Sequence, residues 1–169
     1  MESNITEINS FEDMNLDEDL LRGIYSNGWE RPTPIQRKAI VPASAGKDII
    51  IHAQSGTGKT GTFVASVLTQ IDPAKNETQA LILSPVRELA LQTEEVAKTL
   101  GQFMNITCHS SVGGRSGRED MTALSKNPHI VTGTPGRVLA NLTRGVMRSG
   151  GIKTIVLDET DVLLEKGFE

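Results

Sequence analysis

The stretch Ala53-Gln-Ser-Gly-Thr-Gly-Lys-Thr60 has the residue types and order of a loop that holds phosphate. Gly56 and Gly58 admit backbone angles closed to other residues and leave no side chain to obstruct an oxyanion. The backbone N–H groups of Ala53, Gln54, Ser55, Gly56, Thr57 and Gly58 can then turn toward a β-phosphate, helped by the positive end of a following helix. Lys59 can reach the β- and γ-phosphates, and the Thr60 hydroxyl can ligate Mg²⁺. The general pattern opens with glycine, and Ala53 stands in its place. The alternative is a tight glycine turn with no ligand. A second constellation is Asp158-Glu-Thr-Asp161, directly behind the apolar run Ile155-Val-Leu157. An acid at the end of a buried strand is costly unless it meets a cation or donors. Asp158 is therefore a candidate for holding Mg²⁺ through water, and Glu159 for orienting and deprotonating an attacking water. Taken alone, Asp158 could equally cap a following helix.

These residues need elements that bring them together, and the chain alternates accordingly. A short helix is expected over Asp17–Asn27 and a second from Thr33-Pro34, an N-cap followed by proline, through Ile40. From there, apolar runs read as strands at Asp48–Ala53, Ala80–Ser84, Ile106–Val112, Ile130–Thr132 and Lys153–Leu157. Helices are expected from Lys59 to about Ile71, Glu88 to Phe103 and Gly136 to Arg144, with a short one after Gly113-Gly114. Apolar strands separated by helix-length segments specify right-handed βαβ units: an α/β fold whose parallel sheet carries helices on both faces. Ligands in such sheets sit beyond the carboxyl ends of the strands. The pattern stops at Glu169 soon after the fifth expected strand, as a fold truncated at its C-terminal end would.

Composition narrows the classes. The 169 residues are 37% hydrophobic, 22% charged and 4% aromatic, which suits one globular domain and excludes collagen-like or low-complexity chains. Cys108 is the one cysteine, so no intramolecular disulfide is possible, and a reducing compartment is expected. In its predicted strand it reads as a small buried hydrophobe. No apolar run approaches the ~20 residues that cross a bilayer. Residues 1–10 read as a flexible acidic lead-in without the features of a secretory signal, so a soluble intracellular chain is expected. The net charge is −4, but the acids crowd the start, and none of the first 20 residues is basic. Between Gly113 and Lys153, Arg115, Arg118, Lys126, Arg137, Arg144, Arg148 and Lys153 face only Glu119 and Asp120. That segment could meet phosphates or be a solvated face. His52, His109 and His129 are not spaced as metal ligands.

Further motifs occur in one order along the chain: Gly28-Trp-Glu-Arg-Pro-Thr-Pro-Ile-Gln36 with Phe11 ahead of it, Pro85-Val-Arg-Glu-Leu-Ala90, Gly113-Gly114 and Thr134-Pro-Gly-Arg137. With the phosphate loop and Asp-Glu-x-Asp, the set resembles the DEAD-box ATP-dependent RNA helicases from Phe11 onward. The resemblance is strongest to members serving translation initiation, and splicing-associated members are similar too. It implies a RecA-like domain over 11–169, a Q motif at 11–36, and a second RecA-like domain missing from these residues. Lys59, Asp158 and Glu159 would be catalytic, with ATP or ADP and Mg²⁺ in the loop. Gln36 would read the adenine edge as donor and acceptor. Phe11 would stack on the base, with plain core packing as the alternative. Pro85, Arg87, Gly113, Gly114, Thr134, Pro135 and Arg137 would line a path for an RNA backbone, single-stranded or in a short duplex, without reading sequence. Thr134-Pro135 also suits a helix start, and the two roles are compatible.

Two positions depart from the family pattern. Val86 replaces a threonine, and Thr160 replaces the alanine of the acidic tetrad. By the same resemblance, the parent enzyme hydrolyses ATP and separates short duplexes. It would be a monomer without membrane attachment, cytoplasmic or nuclear, and would bind a helical-repeat scaffold protein. The chain alone is expected to bind nucleotide, touch RNA weakly and hydrolyse little. A non-catalytic nucleotide-gated scaffold and a different phosphate-loop NTPase remain the competing readings.

Overall fold

The computed structural model describes residues 8–54, 56–114 and 116–165. Most of the expected lead-in and the chain end at Glu169 lie outside them, as do Ser55 and Arg115. Within the lead-in, the backbone N–H groups of Asn9 and Ser10 donate to Asp13 at 2.9 and 2.8 Å.

A 3₁₀ turn at Glu12–Met14 precedes α1 (Glu18–Ser26), whose N-cap Asp17 accepts from the Asp19 N–H. Next is α2 (Pro34–Ser44), which runs four residues past the expected end and through Pro42. Proline in the last turn forfeits one backbone bond, and Gln70 holds that turn by donating to the Ala43 carbonyl at 2.8 Å. Helix α3 spans Lys59–Leu68, β1 Ala80–Leu83, α4 Arg87–Leu100, β2 Cys108–Ser111, α5 Gly117–Leu124, β3 Ile130–Gly133, α6 Pro135–Thr143, β4 Thr154–Leu157 and α7 Thr160–Glu165.

The sheet has the order β2-β3-β1-β4, and every pairing is parallel. Helices α4, α5 and α6 make the crossovers between successive strands. Alternation along the strands separates two cores. Ala80, Ile82 and Ile130 join α1 to α4 residues such as Leu20, Ile40, Leu68 and Leu100. Leu81 and Val131 face the opposite way, onto Leu124, Val138 and Met147. The sheet is thus covered on both faces, as expected.

One expected strand did not form. Residues 47–54 form no strand; Ile49 is exposed and Ile50 is 100% exposed. A β-branched run becomes a strand only when another strand pairs with it, and no described segment does so. Strand β4 is the matching loose end: among the described residues it pairs with β1 alone, and Ile155 and Leu157 are exposed.

Candidate functional site

The register places Ser111, Gly133, Leu83 and Leu157 in one row across the sheet. The residues following these four strands therefore emerge along a single carboxyl edge. They include Pro85 to Arg87, Gly113-Gly114, Thr134 to Arg137 and Asp158-Glu159, which is where a parallel sheet builds its sites.

At one end of this row the phosphate loop meets the acidic pair. Gly56 and Gly58 take φ +79° and +95°, the left-handed region, and Lys59 and Thr60 open α3. The Thr57 hydroxyl donates to the Gln54 carbonyl at 2.7 Å, bending the loop upon itself. Lys59 Nζ lies 3.9 Å from Glu159 Oε1. Burial first, then the charge of Glu159, pushes the Asp158 carboxyl above its ordinary value, and Lys59 only partly offsets them. Glu159 has φ +50°, a costly backbone position for a residue with a long side chain. The Thr160 hydroxyl donates to the Leu157 carbonyl at 3.2 Å, so this departure is absorbed by its own turn. Hydroxyl and carboxylate oxygens at Thr60 and Asp158 are the hard donors Mg²⁺ takes, and Gly56 faces open space where phosphate can sit. The residues present fit that ion.

The Q motif is built into this loop. Thr33 caps α2, and Gln36 completes the capping box: its Oε1 accepts from the Thr33 N–H at 2.8 Å. A Cβ on Gly58 would lie 3.1 Å from Thr33 Oγ1 and 3.3 Å from Gln36 Nε2, so these side chains pack against the loop backbone. That cap leaves the Gln36 amide N–H₂ and the second lone pair of Oε1 to serve a base edge. Phe11 is fully buried in the larger core, edge to face with Tyr25 at 6.2 Å. Its placement is that of core packing, and stacking on a base would need the segment to shift. Sequence reasoning missed Gly61, where any side chain would collide with the Trp29 ring. That contact clamps the Q motif onto the first turn of α3.

The other end of the row carries the basic residues. Arg87 opens α4, and its guanidinium lies where a side chain on Gly114, φ +77°, would sit. Val86 precedes that helix with no side-chain cap, consistent with its missing hydroxyl. Pro85 is buried, Gly113 exposed, and Thr134 and Pro135 start α6, with the Thr134 N–H donating to the Ser111 carbonyl at 3.2 Å. Arg137 Nε donates to Asp120 Oδ2 at 3.0 Å. Sequence reasoning gave Asp120 no role, yet this carboxylate is buried and also meets His109, Ser111 and Asn141. No local spacing signals it, because its partners come from two other elements, β2 and α6. Among the other residues singled out, His129 Nδ1 accepts from the Thr107 N–H at 3.0 Å, and burial pushes the Cys108 thiol far up.

A parallel sheet with a phosphate loop, an acidic pair and a basic row on one edge defines a RecA-like nucleotide-binding domain. The DEAD/DEAH box helicase family matches residues 33–169, and the chain belongs to that family. It is 52% identical over 169 residues to the ATP-dependent RNA helicase eIF4A of Chaetomium globosum and equally to that of Neurospora crassa. Each match covers 99% of this chain and 43% of the relative, so the chain spans less than half the length of these relatives. Among solved structures, a DEAD box protein from the hyperthermophile Methanococcus jannaschii superposes with a TM-score of 0.90 at 34% identity, over 96% of this chain and 44% of that one. S. cerevisiae Dbp5 L327V bound to RNA and ADP BeF3 superposes at 0.87 with 36% identity, over 94% and 40%.

Proposed function

We propose that the chain is the nucleotide-binding N-terminal domain, 11–169, of an initiation factor 4A-like RNA helicase that couples ATP hydrolysis to RNA binding and duplex separation. The observation that carries this reading is the approach of Lys59 to Glu159 at 3.9 Å, which joins the phosphate loop to the acidic pair. In this reading Lys59 and the loop N–H groups hold the β- and γ-phosphates, and Glu159 orients the attacking water and takes its proton. Mg²⁺ between Thr60 and Asp158 would supply charge neutralisation on the phosphates. Gln36 selects adenine by donating from its amide N–H₂ and accepting with the second lone pair of Oε1, a pair of contacts that guanine does not mirror. The basic row from Arg87 to Arg137 holds an RNA backbone without reading bases.

The relatives' names support a role in translation initiation. That role carries a cytoplasmic location and a helical-repeat scaffold partner as parts of the same proposal. Turnover by this chain alone should be slight, because an arginine finger from a second domain is worth about 10³–10⁵ in rate. The exposed run 47–54 favours a second reading, a nucleotide-gated scaffold whose loop is ordered only by further chain or a partner.

A thermal-shift titration with ADP, ATP and GTP plus Mg²⁺ tests the proposal, run beside Lys59→Ala. Ligand in hundredfold excess over Kd adds about 2.7 kcal/mol. Stabilisation by adenine nucleotides alone, lost in the variant, is expected. Equal stabilisation by GTP, or none by any nucleotide, would overturn it.

A further inference from the structure

Beside the basic row lies a buried carboxylate that the phosphate chemistry does not use. Asp120 is 2% exposed, on α5, and four side chains converge on it. His109 Nε2 lies 2.7 Å from Oδ1. On Oδ2 converge the Arg137 Nε–H at 3.0 Å, the Asn141 Nδ2–H at 2.8 Å and the Ser111 hydroxyl at 3.3 Å. Asn141 also donates to Ser111 Oγ at 2.8 Å, closing a ring of polar contacts among β2, α5 and α6. Burial raises the Asp120 carboxyl, but the hydrogen bonds of His109 and Asn141 and the charges of His109 and Arg137 outweigh it, and the group stays below its ordinary range. Arginine gripped through Nε has its guanidinium plane fixed, and its remaining N–H groups are aimed by that plane.

We propose that Asp120 is a positioning residue for RNA: it orients Arg137 on the carboxyl edge so that the guanidinium meets a backbone phosphate. The inference rests on the RNA path proposed above. The chain connecting β2 to α5 serves both arginines of that path. It carries Gly114, against which Arg87 packs, and it leads to Asp120, which holds Arg137. Its two ends, Ser111 and Asp120, are themselves bonded. The RNA platform is therefore fixed from beneath, by groups that never touch the nucleic acid.

The test is the binding of fluorescein-labelled oligo(U) to this chain across a salt series, with Asp120→Ala, Asp120→Asn, Arg137→Gln and the double variant Asp120→Ala/Arg137→Gln. Asparagine keeps the shape of the site if Asp120→Ala fails to fold, since its amide oxygen can face Arg137 and its N–H₂ can face His109. Losing one phosphate contact on a single strand lowers the salt slope by roughly 0.7. Arg137→Gln should show that drop with affinity weaker on the order of tenfold, Asp120→Ala should match it, and Asp120→Asn should fall between. The double variant should be no weaker than Arg137→Gln, because both changes act on one contact. A slope unchanged in both Asp120 variants while Arg137→Gln loses it would overturn the positioning role and leave the RNA path intact. An unchanged slope in Arg137→Gln would overturn the proposal together with the RNA reading of that arginine.

Discussion

The two ends of the carboxyl edge are built in opposite ways. The basic end is closed within the chain. Asp120, His109, Ser111, Asn141 and Arg137 satisfy one another, and Gly133 passes so close that a Cβ there would lie 2.5 Å from the Ser111 carbonyl. The phosphate end is open. Its loop follows an exposed, unpaired run, Lys59 and Glu159 stand 3.9 Å apart and partly solvated, and Glu159 holds a strained backbone angle. A surface that binds a flexible polyanion gains from being rigid beforehand. A loop that takes nucleotide in and lets it go is drawn from the less stable part of a fold.

The sharpest way to break this contrast is to crowd each end. Gly133→Ala drives a methyl into the Ser111 carbonyl and Val138, costing about 3 kcal/mol and roughly 6–12 °C of melting temperature. Gly56→Ala meets open space and suffers only its φ of +79°, about 1 kcal/mol. Melts that rank these two the other way would refute the difference in rigidity.

Two aspartates sharpen it. Asp120 is held below its ordinary value of 3.8, so the stability it gives is complete above that pH and fades as pH falls through the lower folded value. Asp158 is held above 3.8, so its charge opposes folding at neutral pH, and the cost is relieved as pH falls through its folded value toward 3.8. Without Mg²⁺ or nucleotide, Asp120→Asn should lower the neutral-pH melt by about 1–3 kcal/mol. Asp158→Asn should raise it, with the gain vanishing in acid. Melting curves from about pH 3 to 8 read both signs, and like signs at neutral pH would remove the contrast.

How legible this was in the sequence follows from the range of each interaction. Phosphate-loop glycines, the Thr33-Pro34 cap and the alternation of apolar runs are local, and they placed the loop, the acidic pair and four of the five expected strands. The failure at Asp48–Ala53 has a non-local cause, because pairing depends on a partner strand that a β-branched run cannot announce. Phe11 reads in sequence as a base-stacker with core packing as the alternative, and its burial in this structure is not something a local pattern announces. Asp120 was illegible because its meaning lies in His109 and Asn141, which approach it only through the crossovers.

The smallest expected effect lies on the exposed run 47–54. Ile50→Lys on the 100% exposed site should leave the melt within about 0.5 kcal/mol while reducing self-association in light scattering. A large loss of stability would mean that this run is packed after all.

The central claim is that nucleotide orders one end of the edge and finds the other already ordered. Amide hydrogen exchange of this chain with and without Mg²⁺-ADP measures it directly. Added protection should concentrate in residues 47–62, with 108–141 slow and unchanged. Protection spread evenly over both, or confined to 108–141, would contradict the account.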